Sequence, residues 1–126
     1  MVERWTSDRR TEDKDYWRQL LAKEVQLLPS VAIYTAPGGR AVSWELLHLE
    51  GNLGTGHVEP EFRGQGFSDV LMAVMMIKTA RLDVPLFGYV RQDNHVMHRT
   101  LKPFGDSLAG EVQFLHCATR ARAGRL

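Results

Sequence analysis

The segment Pro60-Glu61-Phe62-Arg63-Gly64-Gln65-Gly66-Phe67-Ser68 constrains this chain more than any other stretch. It joins a strand-like run, Leu53 to Val58, to an apolar helix-like run that starts near Asp69. Glycines at 64 and 66 remove the Cβ atoms that would hold a ligand off the backbone, so N–H groups at the helix start can point at an anion. Arg63 adds a fixed positive charge beside them. The spacing, Arg-x-x-Gly-x-Ser, is neither the Walker pattern, which needs Gly-Lys-Ser/Thr, nor the dinucleotide fingerprint GxGxxG. A strand-to-helix turn that used the glycines for geometry alone would not need the arginine, so a phosphate cradle is the expectation.

The rest of the chain is read outward from that loop. Residues 1–14 are polar and mixed in charge, an irregular lead-in. Tyr16, Trp17, Leu20, Leu21, Val25 and Leu28 recur at helical spacing, which predicts an amphipathic helix over Asp15 to Leu27 with Asp15 as its N-cap and Pro29 as its stop. Strands follow at Val31 to Thr35 and Ala41 to Leu49, turned by Pro37-Gly38-Gly39, and Glu50-Gly51-Asn52 turns the chain into the strand before the loop. These three strands form an antiparallel meander. Val70, Leu71, Val74 and Ile77 mark the inward face of the next helix, with Met72, Met75 and Met76 as core filler. Leu86 to Val90 has the composition of a buried strand lying parallel to the one before the helix, which completes a βαβ unit. Asn94 caps a short helix that runs through Leu101 and ends at Pro103, and Glu111 to Cys117 supplies a last strand. The expected domain is 15–117, with a solvated basic tail at 118–126.

At 126 residues the chain holds one core, and a net charge of +1 gives no sign of nucleic-acid or membrane attraction. No run reaches the roughly 20 apolar residues of a membrane span. The amino terminus has neither an apolar signal core nor the acid-poor composition of a transit peptide, so the expectation is intracellular, cytoplasm or mitochondrion. Cys117 is the only cysteine, and none of His48, His57, His95, His98 and His116 shares metal spacing with a second ligand, so no metal is expected. His116 beside Cys117 would point to the opposite strand face, which argues against a cysteine nucleophile.

The loop resembles the pyrophosphate loop of GNAT acyltransferases, Arg/Gln-x-x-Gly-x-Gly/Ala, with Ser68 in the last small position. The element order resembles the GNAT core: an α/β fold whose mixed sheet has an antiparallel meander, a βαβ unit and a final strand. Val42-Ser43-Trp44-Glu45-Leu46-Leu47, the loop itself, Asp83-Val84-Pro85-Leu86, and Val90 through Asn94 to Met97 are similar to the carboxyl-terminal half of the glycine N-acyltransferase family. That resemblance implies transfer of an acyl group from a coenzyme A thioester to the amino group of glycine or another small amino acid. It implies acyl-CoA as co-substrate, held by Arg63, Gly64, Gln65, Gly66, Phe67 and Ser68. Backbone groups of Thr55, Gly56, His57 and Val58 would pair with the pantetheine as an added strand. Asn94 matches an asparagine that many GNAT proteins place near the pantetheine arm, and it also serves as the helix cap.

The family carries a further amino-terminal half, and its proposed general base is a glutamate where this chain has Asn52. An amide cannot take a proton from an ammonium group, and the acceptor amine must lose one before it attacks the thioester. Glu50 is the nearest substitute if the strand continues to it, or else a solvated hairpin residue. His57, with Glu59, is expected on the opposite strand face. Tyr89 is a candidate acid for the departing thiolate or, more simply, a core aromatic. A non-catalytic acyl-CoA-binding or partner-binding module remains the alternative.

Overall fold

A computed structural model describes residues 14–105 and 110–112. The described residues open with helix α1, Lys14–Leu27, followed by strands β1, Ser30–Tyr34, β2, Ala41–Leu47, and β3, Leu53–Val58. A 3₁₀ turn, Pro60–Phe62, leads to helix α2, Phe67–Arg81, and after an extended stretch comes helix α3, His95–Leu101, with a second 3₁₀ turn at Lys102–Phe104. The three strands form one antiparallel sheet in the order β1-β2-β3, as the meander requires. Gly38 at φ +75° and Gly51 at φ +88° make the two hairpin turns in the left-handed region that favours glycine. Among the described residues no helix is long and apolar enough to cross a membrane.

The sheet is covered on both faces. α2 lies on one, where Leu47, Leu53, Met72 and Met75 form a closed cluster. α1 lies on the other, reached by the alternate residues of β2: Val42, Trp44 and Leu46 are at most 2% exposed. Burial of this order, at about 25 cal/mol per Å² of apolar surface, is the main force holding both helices to the sheet.

Four expectations change. Lys14 is already helical, so Asp15 sits inside the first turn, where its carboxylate accepts from Arg18 at 3.0 Å rather than capping the helix. The inward face of α2 is Leu71, Met72, Met75 and Thr79, whereas Val70 and Ile77 are 51% and 53% exposed. This helix is apolar on nearly every side, so periodicity could not choose its face and packing did. Leu86 to Val90 is parallel to β3 but makes one bridge, Leu53 with Gly88, and Tyr89 is 50% exposed rather than core. Glu111 and Val112 carry no strand, and the rest of the expected last strand, with His116, Cys117, the tail and the lead-in to residue 13, lies outside the described residues. By contrast Asn94 caps α3 as expected, its Oδ1 accepting from Met97 N at 3.1 Å.

Candidate functional site

The loop after β3 takes its shape from glycine backbone angles. Gly64 and Gly66 have φ of +73° and +83°, and Gly66 is the residue from which α2 starts. No atom lies within 4 Å of where a Cβ would stand at either position, so conformation rather than crowding by the protein calls for glycine here. Among the described residues the backbone N–H groups of Gly64, Gln65, Gly66, Phe67, Ser68 and Asp69 have no acceptor, and the first intrahelical bond is Val70 N–H to the Gly66 carbonyl. Six donors thus lie in the loop and first turn at the positive end of a 15-residue helix.

The side chains around the loop brace it. Arg63 Nε donates to the Val58 carbonyl at 2.9 Å, which ties the side chain back to the end of β3. Gln65 Nε2 folds back onto the Glu61 carbonyl at 3.3 Å, so Gln65 can offer the loop only its backbone. Phe62 and Phe67 pack at 5.8 Å between ring centroids and close the turn. Arg40 supplies a second cation that the sequence did not bring forward. Its guanidinium lies 5.9 Å over the Phe62 ring and pairs with Glu61 at 2.6 Å.

β3 itself is not a regular strand. Leu46 pairs with Gly54 and Trp44 with His57, so β3 advances three residues while β2 advances two. The extra residue is Thr55, a β-branched side chain at φ +52°, a conformation that costs about 1–2 kcal/mol. Its Oγ1 donates to the Gly54 carbonyl at 2.7 Å. This bulge reverses the alternation beyond it, with two consequences. His57 comes onto the same face as Asn52, not the opposite one, and stacks on Trp44 at 4.8 Å. Gly56 comes onto the α2 face opposite Glu45, whose Oε1 would be 3.4 Å from a Cβ there.

The outer edge of β3 is open. Leu53 N–H donates to the Phe87 carbonyl at 2.7 Å, and a Cβ on Gly88 would sit 3.0 Å from the Leu53 oxygen, so glycine allows this close approach. Beyond that bridge β3 pairs outward with no strand among the described residues. The Thr55-to-Val58 edge is therefore open among the described residues between the Leu53–Gly88 bridge at one end and the glycine loop at the other. Two of its carbonyls are already engaged, His57 by Ser43 Oγ at 2.9 Å and Val58 by Arg63.

The titratable residues separate clearly. Glu50 is exposed at the tip of the β2–β3 turn, and β3 starts only at Leu53, so Glu50 shares no strand face with Asn52. His57 Nε2 lies 3.7 Å from Glu59, and both side chains are largely covered. Glu45 was missed, although a carboxylate inside the apolar run of β2 was visible in the sequence. Burial pushes its carboxyl up from 4.5 to about 7. Trp44 Nε1, on the α1 face, is a buried donor with no acceptor among the described residues.

A second missed pair lies at the start of β3. Glu24 of α1, 3% exposed, accepts from the Leu49 N–H through Oε1 at 3.0 Å and contacts His48 Nδ1 through Oε2 at 3.0 Å. A Cβ on Gly54 would be 2.9 Å from both Cδ2 and Nε2 of that ring and 3.5 Å from Asn52 Nδ2. The missing side chain of Gly54 is thus what lets His48 and Asn52 lie together against β3. Glu24 falls on the apolar stripe of its helix, the one sign of this pair in the sequence. Among the described residues no group of side chains could hold a metal ion.

Comparison with known proteins agrees with this architecture. The chain is similar in structure to a Drosophila protein (TM-score 0.67, 23% identity), covering 83% of this chain and 34% of that one, so it spans about a third of that protein's length. It is similar to a ribosomal-protein-alanine N-acetyltransferase from Brucella melitensis biovar Abortus (TM-score 0.65, 13% identity, 92% and 88% covered). It also resembles the aminoglycoside N-acetyltransferase AAC(6')-Iy, solved in complex with CoA (TM-score 0.62, 17% identity, 87% and 96% covered). No curated protein matches the sequence. At these identities the structures show the fold, which is that of the GNAT acetyltransferases. The family model for the aralkyl acyl-CoA:amino acid N-acyltransferase C-terminal region matches residues 32–112, from β1 through the loop and α3, and the chain belongs to that family.

Proposed function

We propose that this chain binds an acyl-CoA and transfers its acyl group to the amino group of glycine or another small amino acid. The observation that carries this reading is the cradle: six N–H groups from Gly64 to Asp69 with no acceptor among the described residues, next in the chain to Arg63, which is tied to the Val58 carbonyl. Such a site suits a pyrophosphate through fixed donors and the positive helix end. The open edge of β3 continues from it, where unpaired backbone groups suit the amides of a pantetheine arm. In the transfer the amine nitrogen bonds to the thioester carbon, the C–S bond breaks, and the amine proton must go to a base. Asn52 cannot be that base.

A non-catalytic acyl-CoA-binding module is the second reading, and Asn52 at the family's base position favours it. Calorimetric melting of the full chain with and without CoA thioesters tests the shared part. Ligand at 100 times its Kd adds about 2.7 kcal/mol of stability, a clear rise in Tm. No rise at millimolar acyl-CoA overturns both readings. Product formation with glycine, glutamine and other small amino acids then separates the enzyme from the module.

A further inference from the structure

We propose that His48, held by Glu24, is the general base that takes the proton from the acceptor amine. The inference rests on the acyl-CoA reading above and adds the residue that reading leaves open. An arm anchored at the Gly64–Ser68 cradle and laid back along the open edge of β3 must stop at the Leu53–Gly88 bridge. Its reacting end therefore lies beside Gly54. The Cδ2–Nε2 edge of His48 is what meets Gly54 on the α1 face.

The chemistry of the pair fits that place. A carboxylate at 3.0 Å fixes the hydrogen on Nδ1, so the neutral ring presents its lone pair at Nε2. The second oxygen of Glu24 is tied to the Leu49 N–H, which fixes the carboxylate and through it the ring. Nε2 takes one proton from the acceptor's ammonium group, which frees the lone pair, and the resulting imidazolium is balanced by Glu24. The nitrogen lone pair forms the C–N bond, the bonded nitrogen releases its second proton to water, the thiolate leaves with the C–S electrons, and the imidazolium returns its proton to the thiolate. The other titratable side chains are less well placed. Glu50 is at an exposed turn, His57 is stacked on Trp44, and Glu45 lies on the α2 face of the sheet. His48 is the catalytic residue here and Glu24 a positioning residue.

The test uses the full chain, with acyl-CoA binding followed by Tm and turnover followed with the amino-acid panel. H48Q should keep the acyl-CoA shift in Tm and lose about 10²- to 10⁴-fold in turnover, the usual worth of a general base. E24Q should lower kcat about tenfold with KM unchanged. Asn52→Glu placed in H48Q should recover part of the lost rate, because a carboxylate beside Gly54 can take the same proton; a mere tie between helix and turn would not be restored this way. Turnover of H48Q within threefold of the natural chain overturns the assignment, as does loss in E45Q with H48Q still active. Binding of acyl-CoA without acylation of any amine also overturns it, while leaving the binding reading intact. Absence of binding overturns both. Should H48Q fail to fold, carbethoxylation of the natural chain decides, mapped by mass spectrometry. Modification of His48 that acyl-CoA slows supports the role, and modification that saturating acyl-CoA leaves unchanged overturns it.

Discussion

At its carboxyl end β3 runs into a cradle made from neighbours in sequence: two glycines in the left-handed region, an arginine five residues after the strand carbonyl it braces, and a helix start. At its amino end the same strand meets Glu24, His48 and Asn52, whose contacts span 24 residues of chain. The first site uses backbone groups that point outward, and only glycine geometry and one cation need be kept. The second buries a carboxylate at 3% exposure and depends on side chains that satisfy one another. Each site is therefore vulnerable to a different change. On the proposed reading, changes in the loop should cost binding and leave the fold, whereas the Glu24 cluster ties α1 to the β2–β3 turn and should lose stability first.

The largest effect should follow from Glu24→Ala. It leaves the Leu49 N–H without its acceptor and takes from His48 a carboxylate that is 3% exposed, and the loss of these bonds to a buried charged group costs about 3 kcal/mol. Urea unfolding should show the loss, and a change under 0.5 kcal/mol would mean that the cluster is solvated and the comparison wrong.

Arg63→Ala acts at the other end and on another quantity. Affinity for a CoA thioester should fall by about 1.5 to 3 kcal/mol, the worth of hydrogen bonds to charged groups, while the melting temperature without ligand stays the same. Equal affinity in the variant would remove the phosphate role from Arg63.

Glu45 sharpens the comparison through pH. The folded chain prefers the protonated carboxyl, which titrates near 7 instead of 4.5. Folding therefore takes up a proton in that window, so this contribution is fully present below pH 4.5 and is lost as pH rises through about 7. E45Q removes the cost of the buried charge. It should gain about 2 kcal/mol over the natural chain at pH 8 and close to nothing at pH 4.5, at about 1.4 kcal/mol per unit less an allowance for partial exposure. A stability difference independent of pH would show that Glu45 is better solvated than its burial suggests.

The smallest effect should come from Gly66→Ala. The position is spacious but left-handed, so the methyl group costs about 1 kcal/mol of stability through backbone conformation alone. A cost above 3 kcal/mol would mean that the loop is packed rather than open.

Much of this was legible beforehand because it is local. The β3 limits, the meander, the glycine loop with Arg63, and the Asn94 cap follow from turn residues, alternation and capping chemistry acting over a few positions. The inward face of α2 was misread, because a helix apolar all round gives periodicity nothing to select and the sheet chose Met72, Met75 and Thr79. The phase of β3 was misread for a related reason. Nothing in Gly54-Thr55-Gly56-His57 announces that Thr55 would take φ +52°, and one inserted residue moves His57 to the other face and sets Gly56 against Glu45.

Residues near one another in the chain set the glycine loop between β3 and α2, since left-handed torsions and helix termini are properties of a few residues at a time. Which carboxylates and imidazoles are buried, and which of them meet, follows from packing between distant segments. Glu24 and Glu45 interrupt apolar patterns that a reader can see, but whether each finds a partner depends on what packs over it. Glu24 found His48 and Leu49 N–H across the α1 face; Glu45 found the bulge on the α2 face and no hydrogen-bond donor among the described residues. Desolvation and pairing are set by neighbours distant in the chain, and that is why the shape of the glycine loop was readable from the sequence and the Glu24–His48 pair was not.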